Sequence, residues 1–402
     1  MPSHAVERNA PSNGNGHARD LTDLALEFRG DRMILPEGMT HDEAIQIIER
    51  RKAEDETEVN VSETVRCFPL DGAVAFAKVL KRRFGWTNLV PQNMGFWGVR
   101  RPTLVGVEIG FNETVQIPWG SCSVPKIEGT LQTGYDVIDD LPVFTIGGTV
   151  RRKHEHLVSE IAREVRETVR KDSIYRGKAI KVNLRDSDGD RITDFGPDFA
   201  PRFLDLDSIK VDEIIYSTET SKMLQVNVFN PVQHTAKCRH NGIPLKRGIL
   251  LEGQFGTGKT LTADLLAKLC TANGWTFIYL EDSRDLDVAL GFAELYAPCV
   301  VFAEDIDKAT KGDRTANMDK LFNKMDGLEG KSREVMVVLT TNVISHIHPG
   351  FLRPGRIDTV VEVTPPDTAA IAKLVKLYGR DVDGTSLVSA SESEIEQALK
   401  RI

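Results

Sequence analysis

Residues 248–260 decide the fold of this chain, and they read Gly248-Ile-Leu-Leu-Glu-Gly-Gln-Phe-Gly-Thr-Gly-Lys-Thr260. From Gly253 onward they fit the pattern G-x-x-x-x-G-K-[ST], which marks a phosphate-binding loop when a strand precedes it and a helix follows. The apolar run 248–252 predicts the strand, and residues 260–270 predict the helix. The sequence therefore predicts a strand, a phosphate loop and a helix in direct succession.

The loop and the residue after it are expected to contact a nucleotide. Glycines let backbone N–H groups turn toward an anion, and a helix N-terminus adds partial positive charge. Lys259 can reach the outer phosphates, and the Thr260 hydroxyl can bind Mg²⁺. The alternative, a glycine-rich turn with a chance lysine, is disfavoured by the flanking elements. The expected contacts are Gly253, Gln254, Phe255, Gly256, Thr257, Gly258, Lys259, Thr260 and Leu261.

Carboxylates follow a second apolar run. Residues 299–303 predict a buried strand, and Glu304-Asp305-Ile-Asp307 comes directly after it. In a parallel sheet the carboxyl end of a strand faces the ligand crevice. One carboxylate there can hold Mg²⁺, and the other can orient or deprotonate a water. A solvated turn is the ordinary alternative, and the phosphate loop favours the functional interpretation. The predicted metal ligands are Thr260, Glu304 and Asp305.

Two further segments extend the predicted catalytic set. Asn342 follows the apolar run 335–341, so its amide can position water near a terminal phosphate. Arg353 and Arg356 lie in the loop Arg-Pro-Gly-Arg. Three roles are open for them: surface residues, counter-ions of a phosphate, or groups that stabilise transition-state charge in a neighbouring subunit. The candidate catalytic residues are Lys259, Glu304, Asp305, Asn342, Arg353 and Arg356.

The order of patterns predicts the domain organisation. Near-continuous apolar strands alternate with helices over residues 205–365, which indicates an α/β fold: a parallel sheet of P-loop NTPase type, flanked by helices. Residues 366–402 predict a short helical lid. Residues 61–200 predict a separate α+β domain that recognises a partner. Residues 26–60 predict a helix, opened by a Thr40–Glu43 capping box, and a charged linker; residues 1–25 predict a flexible tail.

Composition excludes several classes of protein. The 402 residues are 41% apolar and 27% charged, as in soluble globular proteins of two to three domains. No apolar run approaches the ~18 residues of a membrane span, so no membrane association is expected. The net charge of −8 disfavours a chain-wide nucleic-acid surface and leaves a local basic patch open. Five widely spaced cysteines without a CxxC motif favour reduced thiols and a cytoplasmic location.

Over residues 205–402 these segments resemble the AAA family of P-loop ATPases in order and spacing. The stretches that carry the resemblance are residues 242–253, Met325-Asp-Gly-Leu328, Thr340-Thr-Asn342 and residues 351–358. The resemblance implies ATP and Mg²⁺ as cofactors, ATP hydrolysis, and arginine fingers at Arg353 and Arg356. It also implies a homo-oligomer, usually a hexameric ring, that remodels a protein partner. The N-terminal half is unassigned, and is weakly similar to AAA proteins encoded by bacteriophages.

Three features depart from the family pattern. The family has Asp-Glu where this chain has Glu304-Asp305, and Ile306-Asp307 keeps the register, so we expect Glu304 to serve Mg²⁺ and Asp305 the water. Because Asp is shorter than Glu, hydrolysis should be slow. The segment after residues 276–280 is short and lacks an aromatic pore-loop triplet, which disfavours peptide threading through a central pore. The lid is also short.

Two other functions remain open at this stage. A nucleic-acid motor or loader could use the same core, although the Arg-Pro-Gly-Arg and Met-Asp-Gly-Leu segments and the acidic charge favour protein remodelling. A scaffold that binds ATP with little turnover is the other alternative, because the acids are exchanged and the lid is short.

Overall fold

The structure is a computed structural model, and it describes residues 27–29, 32–34, 38–85, 88–89, 92–93, 99–100, 103–197, 199–307, 316–327, 334–379 and 391. The chain forms two units, residues 1–59 with 151–153 and residues 60–150 with 154–402. The predicted tail at 1–25, Leu328, and nearly all of the predicted lid after residue 379 lie outside the described residues.

The first unit contains a short hairpin and a helix. Strands β1 (Glu27–Arg29) and β2 (Arg32–Ile34) pair antiparallel, and helix α1 (His41–Asp55) follows. The Thr40 backbone N–H donates to the Glu43 carboxylate at 2.8 Å, while the Thr40 hydroxyl accepts from the Glu43 N–H. The capping box predicted from the sequence is therefore confirmed.

The second unit begins with a region of antiparallel strand pairs and two helices, called here the antiparallel region. One sheet has the order β3-β11-β10-β9-β4, while β5–β6 and β7–β8 form separate pairs. The β10–β11 hairpin turns at Asp139 and Asp140, whose φ angles of 54° and 63° are those a type I′ turn requires. Its elements are β3 (Glu58–Val65), α2 (Pro69–Phe84), β4 (Asn88–Leu89), β5 (Gln92–Asn93), β6 (Val99–Arg100), β7 (Thr103–Gly110), β8 (Glu113–Trp119), β9 (Ser121–Ser123), β10 (Gly129–Ile138), β11 (Leu141–Arg151) and α3 (Glu155–Asp172).

The basic end of α2 is paired with the acidic side of α3. Arg83 lies 2.5 Å from Glu160 and 3.2 Å from Glu164, and Arg82 lies 3.1 Å from Glu164. These arginines belong to the basic run Lys81-Arg-Arg83 at the end of α2. Their ion pairs favour a structural role in the packing of α2 against α3.

A mostly parallel sheet forms the core, in the order β13-β12-β15-β16-β17-β14-β18. Only the β12–β13 pair among these described strands is antiparallel. The P-loop type of α/β fold predicted from the sequence is confirmed. The elements are β12 (Ala179–Val182), β13 (Arg202–Phe203), α4 (Thr218–Leu224), α5 (Asn230–Gln233), α6 (Thr235–His240), β14 (Arg247–Glu252), α7 (Lys259–Ala272), β15 (Thr276–Leu280), α8 (Leu286–Leu295), β16 (Cys299–Ala303), α9 (Ala316–Gly327), β17 (Val335–Thr341), β18 (Thr359–Glu362) and α10 (Thr368–Tyr378).

One predicted boundary is corrected. The sequence analysis assigns residues 61–200 to the N-terminal domain, but β12 lies in the core sheet and pairs in parallel with β15. Ile180 and Val182 are fully buried, and β12 gives the outer edge of β15 a hydrogen-bonding partner. Strands β12 and β13 therefore belong structurally to the core sheet and not to the domain before it.

The described residues can be compared with the expectations about membrane spans and about the cysteines. No helix among them is long and apolar enough to cross a membrane. All five cysteines are buried and none forms a disulfide.

A buried polar cluster fastens α2 to α8. Asp71 on α2 is 1% exposed, and its carboxylate accepts hydrogen bonds from the Tyr296 hydroxyl at 2.9 Å and the Ser173 hydroxyl at 2.7 Å. The Tyr296 hydroxyl also accepts from the Phe68 backbone N–H at 2.9 Å. The Phe68 ring stacks on Phe292 with centroids 3.7 Å apart. The antiparallel region is thus anchored to the core by one hydroxyl with two partners.

Replacing Tyr296 with phenylalanine should lower the free energy of unfolding by about 1–3 kcal/mol, because a buried carboxylate and a buried N–H each lose a partner. Urea unfolding followed by circular dichroism measures the change. Tyr378→Phe is the matched control, since that tyrosine is 58% exposed. Equal small effects of both substitutions would contradict the anchoring role.

Asp71 should also make stability depend on pH. Burial raises the pKa of Asp71, and the hydrogen bonds from Ile174 and Ser173 only partly oppose it. Because the pKa is higher in the folded state than in the unfolded one, this group favours folding most below about pH 4 and loses that contribution as the pH rises through the raised value. The stability of the wild type relative to Asp71→Asn should therefore increase from pH 7 to pH 4, and a constant difference would contradict this.

Candidate functional site

The predicted phosphate loop joins β14 to α7, as the sequence indicates. Strand β14 lies between β17 and β18, next to the edge of the sheet, so its end is fixed on both sides. Gly256 and Gly258 have φ angles of 78° and 101°, a region that favours glycine. A Cβ atom on Gly253 would lie 2.4 Å from the carbonyl oxygen of Val363. The loop conformation therefore depends on these glycines.

Lys259 lies in the first turn of α7 and points back over the loop. Its Nζ atom donates to the carbonyl oxygens of Gly253 at 2.6 Å and Gln254 at 2.9 Å. Burial lowers the pKa of Lys259, while the nearby carboxylates of Asp305 and Glu304 raise it. The ammonium group is thus held by the loop, beside the two acids that follow β16.

Thr260 and Glu304 face each other across the site. The Thr260 hydroxyl donates to Oε1 of Glu304 at 2.6 Å. Both side chains offer oxygen atoms, the ligands that Mg²⁺ prefers. The position next to the phosphate loop is the one the sequence predicts for a metal, and Glu304, the first of the two acids, occupies it.

Asp305 and Asn342 form a second pair. The Asn342 side-chain N–H donates to Oδ1 of Asp305 at 3.2 Å, and the Asp305 backbone N–H donates to the Thr340 hydroxyl at 3.1 Å. Asp305 has a φ angle of 49°, a left-handed conformation that Asp tolerates better than most residues. The backbone conformation turns this acid away from the line of β16, toward the end of β17.

These side chains line one open cavity of about 350 Å³. Gly253, Gln254 and Thr257 lie in the loop behind it, where the Thr257 hydroxyl donates to the Gln254 carbonyl at 2.9 Å. The described lining residues are Phe255, Gly256, Gly258, Lys259, Thr260, Leu261, Glu304, Asp305, Thr340 and Asn342. The structure therefore brings together the predicted lysine, threonine, acids and amide.

The two predicted arginines, Arg353 and Arg356, differ in their contacts and in their exposure. Arg356 donates to both carboxylate oxygens of Asp326 at 2.7 and 2.5 Å and to the Gly350 carbonyl at 2.8 Å, and its guanidinium lies 4.1 Å from the Phe322 ring. Arg353 is exposed. Neither is among the described lining residues of the cavity. Within its own chain, Arg356 is already occupied in fixing α9 to the loop before β18.

A second cavity, of about 400 Å³, lies next to the first and was not predicted. Tyr216 stands between the two: its hydroxyl lies 2.9 Å from the Thr262 hydroxyl on α7, and its ring is 3.4 Å from a Cβ placed on Gly258. No motif in the sequence marks this cavity. The described lining residues are Val211, Asp212, Ile214, Ile215, Tyr216, Ser221, Lys373, Lys376 and Leu377.

Helix α10 lines one side of the second cavity and is tied at both ends. Asp367 accepts from the backbone N–H groups of Thr218 at 2.7 Å and Ala370 at 2.8 Å, so one carboxylate caps α4 and α10. These bonds lower the pKa of Asp367 to about 2. At the other end, the Tyr378 hydroxyl donates to Glu213 at 2.6 Å. The Pro-Pro-Asp sequence before a helix is a start signal that could have indicated this cap.

The short segment after β15 is held by ion pairs. Asp285 is fully buried between Arg185, at 2.9 Å, and Arg191, at 3.0 Å, both from the connection between β12 and β13. Residues Ser283–Asp285 form a single helical turn that leads directly into α8. This segment, in which the sequence shows no aromatic pore-loop triplet, is fixed to the connection between the outer strands β12 and β13.

Comparison with known proteins identifies the region that contains the site. Residues 249–365 match the family described as "ATPase family associated with various cellular activities (AAA)". The chain is 33% identical over 184 residues to a 26S proteasome regulatory subunit 8 homolog of Schizosaccharomyces pombe, covering 40% of this chain and 45% of that protein. It is 34% identical over 167 residues to Protein SAV of Sulfolobus acidocaldarius, covering 38% and 21%.

A third relative gives the same result. The chain is 31% identical over 159 residues to 26S proteasome regulatory subunit 10B of Dictyostelium discoideum, covering 35% of this chain and 40% of that protein. The chain thus spans less than half the length of each of these curated relatives.

Proposed function

Because residues 249–365 of this chain form a domain of the AAA family, we propose that the protein binds ATP with Mg²⁺ and hydrolyses it. The observation that carries this proposal is the convergence of Lys259, Thr260 and Glu304 at the end of the phosphate loop, with Thr260 and Glu304 2.6 Å apart. Lys259 would leave the loop carbonyls and bind the phosphates instead.

The proposed magnesium ligands are Thr260 and Glu304, since their oxygens face one another and lie beside Lys259. Magnesium held by these two residues would supply positive charge to offset the negative charge of the phosphates. Asp305 would then orient the attacking water and accept its proton. Asn342, which already donates to Asp305, would hold that carboxylate or the water in position.

The second cavity is the proposed site for the adenine base. Tyr216 separates it from the phosphate loop, so one nucleotide could extend from one cavity into the other. The Asp212 carboxylate can accept a hydrogen bond from the exocyclic amino group, and the apolar side chains Ile214 and Leu377 can pack against the ring. Because α10 lines this cavity, nucleotide binding would restrain the position of the lid.

We further propose that the protein assembles into a ring, usually hexameric in this family, and acts on a protein in the cytoplasm. The support is the similarity to proteasome regulatory subunits over the AAA domain. The antiparallel region before the core is the proposed recognition element. The Arg185–Asp285 ion pair fixes the segment after β15 in place. We therefore expect the protein to remodel its partner without threading a peptide past this segment.

Arg353 is the proposed arginine finger, and Arg356 its positioning residue. Arg353→Ala should lower kcat about 10³-fold while ATP affinity stays within about twofold, because the exposed guanidinium would stabilise charge in a neighbouring site. Arg356→Ala should lower thermal stability as well as turnover, because it removes a bidentate pair with Asp326. Thermal unfolding separates the two, and a stable Arg356→Ala variant would contradict the assigned difference.

The test of the proposed function is the steady-state ATPase rate measured against protein concentration. A rate per subunit that rises and then saturates supports hydrolysis at a shared site. A rate equal to that of Lys259→Ala at every concentration, with ATP bound, would contradict hydrolysis and support a nucleotide-dependent scaffold. Salt-sensitive stimulation by DNA would favour a nucleic-acid motor instead.

A further inference from the structure

A third cavity, of about 270 Å³, lies at the outer edge of the core sheet, away from the phosphate loop. Strands β12 and β13 extend the sheet there, and Ile192, Phe199 and Ala200 of the connection between them line the cavity. The described lining residues are Lys181, Asn183, Ile192, Phe199, Ala200, Arg202 and Glu281. No part of the proposed ATPase mechanism uses this cavity.

The cavity holds two cations placed side by side. Lys181 and Arg202 are direct partners in the antiparallel β12–β13 register, so they lie on the same face of the sheet. Like charges directly opposite each other across two strands are destabilising. Glu281 neutralises one of them, since its carboxylate lies 2.5 Å from Nζ of Lys181. Among the described lining residues, one positive charge remains in excess.

The rest of the lining suits a small polar ligand. The Asn183 amide can donate a hydrogen bond, and Ile192 and Phe199 form an apolar wall. The volume is just below the roughly 300–1,000 Å³ of drug-sized ligand sites. We propose that this cavity binds a small anion that carries a phosphate or carboxylate group, held by Arg202 and Lys181.

The cavity is connected to the proposed nucleotide site through Tyr279. Lys181 lies beside Tyr279 in the parallel β12–β15 register, with Nζ 5.8 Å from the ring centroid. The Tyr279 ring stacks on Phe302 of β16, with centroids 6.0 Å apart. Burial, with the charge of Glu304 and a hydrogen bond to it, raises the pKa of Tyr279. One row of side chains thus runs across three strands, from the cavity to the proposed magnesium ligand.

An anion that draws Lys181 away from Glu281 would change the charge next to Tyr279 and, through it, the position of Glu304. The cavity ligand would therefore alter ATP affinity, and ATP would alter the affinity of the cavity for its ligand by the same factor. This coupling rests on the proposed ATP site, whereas anion binding itself does not depend on it.

The binding test uses calorimetric titration of inorganic phosphate and of succinate into nucleotide-free protein. The Lys259→Ala background weakens phosphate binding at the loop. We expect one bound anion in that background, at least tenfold weaker binding after Arg202→Gln, and no change after Lys178→Gln. Lys178 is an exposed lysine just before β12 that does not line the cavity. Preference for phosphate or succinate identifies the ligand class. Equal affinity with and without Arg202, or no binding of either anion, would overturn the site.

The coupling test measures ATP affinity with and without the preferred anion, with Lys259 intact. An effect that disappears in Arg202→Gln originates at this cavity and supports the proposal, while an effect that persists unchanged originates at the phosphate loop and contradicts it. Tyr279→Phe should still bind the anion and lose its effect on ATP. Because the anion titration needs no nucleotide, absence of ATP hydrolysis would leave the binding result interpretable.

Discussion

Replacing Lys259 with alanine is expected to lower kcat/KM for ATP by about 10²–10³-fold, the largest loss of any single substitution in the phosphate loop. Lys259 is the only lysine among the described residues that line the cavity, and it is held within 2.9 Å of two loop carbonyls. Its charge is therefore already held at the loop, within a short movement of the proposed phosphate position, and burial strengthens its electrostatic effect. Measuring phosphate release gives the loss in turnover, and measuring ATP binding gives the loss in affinity.

Lys237→Ala is the control for this prediction. Lys237 is an exposed lysine at the end of α6 and has no contact with the loop, so its removal should leave the rate within about twofold. If Lys259→Ala retains more than about a tenth of the wild-type kcat/KM, the ammonium group does not act on the phosphates. The loop would then bind an anion through its backbone alone.

The central strands could be predicted from the sequence because they are buried on both faces. The apolar runs 276–280, 299–303 and 335–341 in the sequence have the same limits as β15, β16 and β17. A fully buried strand is a continuous apolar run, which polar residues end sharply. The placement of Glu304, Asp305 and Asn342 follows from the same rule, since each comes directly after such a run.

Other parts of the fold could not be predicted in this way. The β10–β11 hairpin was not expected, because its strands contain four glycines, which strands disfavour, and its turn is Asp139-Asp140 rather than a sequence with glycine. The position of β12 beside β15 depends on a partner far along the chain, and no local pattern specifies it. Arg356 is a similar case, because its pairing with Asp326 is a tertiary contact.

The exchanged acids can be explained by the backbone at the end of β16. Asp305 has a φ angle of 49°, and Asp adopts this conformation at lower cost than Glu. The longer side chain, Glu304, precedes it and reaches the Thr260 hydroxyl at 2.6 Å. In this chain the order Glu-Asp is therefore compatible with a residue that binds the metal at the first position and a residue that orients the water at the second.

Asp305→Asn is accordingly expected to lower kcat by about 10²–10⁴-fold, the range of general acid–base catalysis, while ATP affinity stays within about threefold. The amide keeps the size of the side chain and cannot accept a proton from water. Single-turnover measurements with bound ATP separate the chemical step from binding. An equal loss of binding and turnover would place Asp305 among the residues that hold the nucleotide.

Asp305→Glu and the exchanged pair Glu304→Asp/Asp305→Glu complete this test. Both keep a carboxylate at position 305, so turnover should remain measurable in each. The exchanged pair should be less stable than the wild type, because it places glutamate in the left-handed conformation and removes the 2.6 Å contact with Thr260. If the exchanged pair has no turnover although it folds and binds ATP, Glu304 does not occupy the metal position, and the assigned roles of the two acids must be reversed.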